Sequence, residues 1–73
     1  MNTEDVRLGA TIAQMRQMRG MTQDQLANAA VVSRSFIANI EAGRKRPSMK
    51  ALARIAEALH VPQISLISTG VAA

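Results

Sequence analysis

The amino-acid sequence predicts an all-α fold of five short helices packed into one compact domain. Three observations carry this. Apolar residues recur at helical spacing, as at Leu52, Ile55, Ala56 and Leu59. Hydroxyl residues, glycines and prolines fall between these runs, where helices begin and end. No segment alternates apolar and polar side chains with period two, so no strand is expected. The 73 residues are expected to form one domain, with a core at about 4–68 and a frayed tail at 69–73.

Thr3 reads as the first N-cap, with Glu4 and Asp5 in a first turn where acids favour the positive end of the helix dipole. Leu8, Ile12 and Met15 then predict an amphipathic helix over 4–19, ended by Gly20. Thr22 opens the second helix, and Gln25 completes a capping-box pattern. Leu26, Ala27 and Ala30 form its inward face, and the alanines allow a crossing helix to come close. Val31 and Val32 interrupt it. Ser33 caps a third helix with Ile37 and Ile40 inward, closing at Gly43. Ser48, after Pro47, starts the fourth, which ends near His60. Pro62 suits the first turn of a fifth, reaching about residue 68.

Helices this short are marginal alone in water, because nucleation is costly. The pair at 22–43 is therefore the stretch that the remaining helices hold in place. A chain of this size buries only about 60% of its unfolded surface, so its stability should be modest.

The +4 net charge is unevenly placed. Residues 1–33 balance to zero. Residues 34–54 carry Arg34, Arg44, Lys45, Arg46, Lys50 and Arg54 against Glu41, for +5. A one-sided basic segment is the footprint of a polyanion partner. From charge alone, a solvated basic face is an equal reading.

Other classes are excluded by what is missing from the sequence. There is no cysteine, hence no disulfide, thiolate metal site or cysteine nucleophile. A lone His60 cannot build a zinc site. No carboxylate pair at a useful spacing and no glycine-rich phosphate cradle suggests an enzyme. No apolar run of about 18 residues would span a membrane. Glu4 and Asp5 precede any apolar run, which is unlike a signal peptide. The expectation is a cytoplasmic protein of a bacterium or phage. Met1, Met15, Met18, Met21 and Met49 read as initiator, core fillers and loop residues. His60 reads as a helix-end residue.

Residues 61–73 carry no charge and include Val61, Ile64, Leu66, Ile67 and Val71. A small core has room for two or three of these, and the rest would form an apolar patch. A homodimer contact through Ile64 and Ile67 is expected; the plainer reading is that Leu66 and Ile67 close a monomer core.

Two helices joined by a short turn, the second anchored by Ile37 and Ile40, match the geometry of a helix-turn-helix reader. Its outward residues are Arg34, Ser35, Ala38 and Asn39. Arginine can bind guanine bidentately, asparagine adenine, serine a base or phosphate, and alanine a thymine methyl. Phe36 lies between the two faces, either packing on the first helix or lying along a sugar-phosphate backbone.

These residues resemble the Cro and phage-repressor class of helix-turn-helix domains, also called the xenobiotic-response-element family. The resemblance covers roughly residues 7–68. It runs through Leu8-Gly9, Ile12, Arg16, Met21-Thr22-Gln23, Leu26-Ala27, Ala30, Val32-Ser33, Ile37, Ile40-Glu41 and Gly43. It continues through Pro47-Ser48, Leu52, Ile55-Ala56, Ala58-Leu59, Val61 and Leu66. It implies a five-helix, lambda-repressor-like DNA-binding domain. It places Arg34, Ser35 and Asn39 in the groove, Gln23 on a phosphate or outer base, and Arg44, Lys45 and Arg46 on phosphates. It pairs Arg16 with Glu41; breaking such a pair when buried costs about 3–5 kcal/mol, whereas an exposed pair is worth under about 1 kcal/mol.

One departure is plain. The family usually has glycine at the position of Val31, so either the turn takes another shape or Val31 bears strain. The implied function is a transcriptional regulator, a repressor or controller protein, that binds an inverted-repeat operator as a homodimer and responds to its own concentration. The alternative is a protein-interaction module on the same fold, antitoxin-like or polymerase-contacting. The expected partners are double-stranded DNA and a second copy of the chain, with RNA polymerase a further candidate. No cofactor, metal or small-molecule ligand is expected.

Overall fold

A computed structural model describes residues 2–67 as five helices. The expected tail, Val71 and the expected end of the fifth helix near residue 68 lie outside the described residues.

The first helix, α1, is Thr3–Met18, one residue earlier at each end than the spacing suggests. Its cap is Asn2, not Thr3: Asn2 Oδ1 accepts from the Glu4 and Asp5 amides at 2.7 and 3.2 Å. An extended asparagine reaches two orphan amides, whereas Thr3 already has helical backbone. Arg19 is the C-cap, and Gly20 follows at φ +70°. The second helix, α2, is Gln23–Ala30, and the third, α3, is Arg34–Glu41. The fourth, α4, is Met49–Ala58, capped by Ser48 Oγ, which accepts from the Ala51 amide. His60 closes it in the left-handed region at φ +59°. The last helix, α5, is the single turn Ile64–Ile67. It starts two residues after Pro62, later than expected.

The buried side chains form one cluster. Ile12, Leu26, Ile37, Ile40, Ile55, Leu59 and Leu66 are its largest members, so α1 to α5 all contribute. α3 packs against both α1 and α2, α2 also meets α4, and α5 rests on α1. Gly9 sets the closeness of α1 and α3. A Cβ there would overlap the Ile40 carbonyl oxygen and stand 2.9 Å from that of Glu41. Met15 and Met21 pack on the core, but Met18 and Met49 are exposed and fill nothing. Leu66 is fully buried while Ile67 is half exposed, so only the first closes the core.

Candidate nucleic-acid interface

The site is built on α2 and α3. Thr22 opens α2 with a reciprocal cap. Its Oγ1 accepts from the Gln25 amide at 3.0 Å, and Gln25 Oε1 accepts from the Thr22 amide at 2.8 Å. The helix ends at Val31, which sits at φ 60°, ψ 47°. This is the left-handed conformation that a β-branched residue adopts only at a cost. Of the two outcomes open to this turn, the valine takes the strained one. Its side chain is 76% exposed, so no packing of its own offsets the strain. The next two residues hold the turn: Val32 packs on the core, and Ser33 Oγ accepts from the Phe36 amide at 3.0 Å.

That cap fixes the rotation of α3. Ile37 and Ile40 are completely buried. The opposite side presents Arg34 and Ser35 exposed, with Ala38 and Asn39 half-buried beside them. Arg34 has no ion-pair partner among the described residues. Ser35 Oγ lies 3.3 Å from Ser33 Oγ. Asn39 Oδ1 accepts from Arg44 Nε at 3.3 Å, which fixes which way its amide faces. Phe36 packs half-buried on the core, and Lys45 Nζ stands 5.6 Å from its ring centroid, a cation–π distance.

A polar network clamps this arrangement from behind. Arg16 Nε and Nη2 donate to Glu41 at 2.7 and 3.1 Å, and Nη1 donates to the Met21 carbonyl at 2.8 Å. Gln23 Nε2 donates to Glu41 Oε1 at 3.0 Å. One arginine thus ties α1, the entry to α2 and the end of α3 together. Gln23, expected on a phosphate, has its amide nitrogen turned into this network. Among the described residues, no buried side-chain nitrogen or oxygen lacks a hydrogen bond.

The three loop cations do not behave alike. Arg44 and Lys45 lean on α3. Arg46 turns to α1, donating to Asp5 at 2.6 Å and Glu4 at 3.2 Å. Hydrogen bonds to Glu4, then to Asp5, hold its guanidinium more firmly protonated than usual. Nothing in the sequence marks this pairing, because 41 residues separate Arg46 from Asp5. The first-turn acids already had an adequate local role at the helix dipole. Among the described residues, no group of three metal-ligating side chains gathers, and no helix is long and apolar enough to cross a membrane.

Residues 7–66 match the model of the helix-turn-helix domain family. The chain belongs to that family. The match of this helix-turn-helix chain spans the α2–α3 pair and the helices that pack on it. It is 43% identical over 60 residues to the immunity repressor protein of Bacillus phage phi105, covering 82% of this chain and 41% of that one. It is 38% identical over 61 residues to the HTH-type transcriptional regulator SutR of Escherichia coli, covering 84% of this chain and 34% of that one. The chain thus spans less than half the length of either relative. Over 61 residues it is 28% identical to a regulator of Sinorhizobium fredii, y4dJ, covering 84% of this chain and 79% of that one. Among solved structures, the restriction-modification controller protein C.AhdI of Aeromonas hydrophila superposes with a TM-score of 0.87 at 25% identity. That overlap covers 89% of this chain and 98% of the controller. A second controller, C.Esp1396I, solved as a tetramer on its natural 35 base-pair operator, gives 0.83 at 26% identity, covering 90% of this chain and 87% of that one.

Proposed function

We propose that this helix-turn-helix chain is a sequence-specific DNA-binding transcriptional regulator, a repressor or controller that occupies an inverted-repeat operator as a homodimer. The observation that carries the reading is the division of α3. Ile37 and Ile40 are fully buried, while Arg34, Ser35, Ala38 and Asn39 share the opposite side. A helix held this way can enter the major groove with its N-terminal end on base edges. The named regulators among its relatives, and the controller solved on its operator, support the same reading.

In this reading Arg34 reads guanine, Asn39 reads adenine, Ser35 takes a base or phosphate, and Ala38 touches a thymine methyl. Arg44 and Lys45 neutralise phosphates beside the groove. Gln23 adds a phosphate contact through the part of its amide not given to Glu41. The dimer contact uses Ile64 and Ile67, which are 62% and 48% exposed. Ile67 borders a groove lined by Met49, Leu52 and Leu66 on one hand and by Glu4, Arg7 and Arg46 on the other. No chemical step is involved; the chain acts by occupying DNA in the cytoplasm.

The test is a binding selection on random duplex DNA, repeated at two salt concentrations. This reading predicts a palindromic motif with half-sites about 10–10.5 bp apart. Its affinity should fall steeply with salt, with a log–log slope of about −0.9 for each phosphate neutralised. Recovery of no motif would favour a protein-interaction role on the same fold.

A further inference from the structure

We infer that Arg46 is not a phosphate ligand but a positioning residue. Together with Glu4 and Asp5, it seats the 43–47 loop on the first turn of α1 so that Arg44 and Lys45 are presented to the DNA backbone. The inference rests on the DNA-binding reading and reassigns one cation within it.

Three adjoining features place the loop on that turn. Gly43, at φ +79°, lies so close to Val6 that a Cβ there would stand 2.8 Å from Val6 Cγ2. Arg46 bridges two carboxylates, Nε to Asp5 at 2.6 Å and Nη2 to Glu4 at 3.2 Å. Pro47 is buried and lines the groove that also holds Leu8. The carboxylates are themselves aimed, since Asn2 caps the turn through the Glu4 and Asp5 amides. The bridge is therefore built from both sides.

Charge argues the same way. Paired with two carboxylates, the Arg46 guanidinium offers a phosphate little net charge. Among the described residues Arg44 and Lys45 form no ion pair; they contact Asn39 and the Phe36 ring, both on α3. The loop thus splits its cations, two towards the reading helix and one towards the scaffold. Arginine suits the scaffold role because its planar fork can reach two carboxylates at once, which a lysine ammonium does not reproduce.

The experiment uses the full chain and the duplex recovered by selection, with affinity measured across a salt series. Arg44→Ala and Lys45→Ala calibrate it, each flattening the log–log slope by about 0.9. Arg46→Ala is expected to weaken binding by up to roughly fivefold, the scale of a lost exposed ion pair, with the slope unchanged. Arg46→Lys should remain as weak as Arg46→Ala. The double variant E4Q/D5N should also bind more weakly at the high-salt end, where long-range repulsion is screened, although it loses two negative charges. Melting curves confirm that each variant is folded at the assay temperature; if Arg46→Ala is not, the double variant carries the test.

A slope flattened by about 0.9 in Arg46→Ala and restored by Arg46→Lys would make Arg46 a phosphate contact and overturn the inference. Tighter binding by E4Q/D5N with a steeper slope would make the acids a brake on Arg46 and overturn it too. Failure of the unaltered chain to select any duplex would remove the DNA-binding reading, and the positioning role with it.

Discussion

Arg16 on α1 and Glu41 at the end of α3 are joined by two hydrogen bonds, of 2.7 and 3.1 Å, with side chains only 13% and 6% exposed. Glu41 also accepts from Gln23, and Arg16 also donates to the Met21 carbonyl. Removing either partner strands the other in a largely water-free position. Glu41→Ala should therefore cost about 3 kcal/mol, the lower end for a buried pair. Urea denaturation would show this as a lower midpoint at unchanged m-value. A loss below about 1 kcal/mol would mean that the pair behaves as an exposed one.

Val31 holds a left-handed backbone with an exposed side chain. A non-glycine residue there costs about 1–2 kcal/mol, partly offset because glycine loses more backbone freedom on folding. Val31→Gly should raise stability by about 0.5–1 kcal/mol, seen as a melting temperature several degrees higher. The selected DNA motif should not change.

Gly9 has the opposite character. Its backbone is ordinary helix, but the carbonyls of Ile40 and Glu41 occupy the space of a side chain. Those atoms are backbone and cannot swing aside. Gly9→Ala should destabilise the domain by at least about 2 kcal/mol through overpacking, despite alanine's better helix propensity. Thermal melting distinguishes this from the small gain that propensity alone would give.

These residues show what was legible in the sequence. Thr22, Ser33 and Ser48 mark helix starts because a hydroxyl before a helical run has one obvious task. The core face was readable from the spacing of Ile37, Ile40, Leu52 and Ile55. The sequence does not single out Asn2, because its neighbour Thr3 is an equally good cap on local grounds. The family resemblance flagged Val31 as misplaced, and the structure supplies its backbone angles. Gln23 with Glu41, Gly9 with Ile40 and Arg46 with Asp5 were not readable. The first two depend on how two helices cross and the third on how a loop folds back on α1, and no local pattern of residue types encodes either. Exposure of Ile67 beside burial of Leu66 likewise follows from how one helical turn settles on α1.

Ile67 lines a groove with Met49, Leu52 and Leu66 and is 48% exposed. Ile67→Asp should place a charge in the dimer contact and halve the mass seen by light scattering, with the melting curve little changed. An unaltered mass would remove Ile67 from the contact.

If the exposed side of α3 reads bases, Arg34 should show it. Binding of Arg34→Ala should be measured against every single-base variant of the selected duplex. The expected loss is about 1–3 kcal/mol on the preferred sequence, with preference relaxed at one base pair per half-site. An equal loss on all sequences, with a flatter salt slope, would make Arg34 a phosphate contact and contradict it.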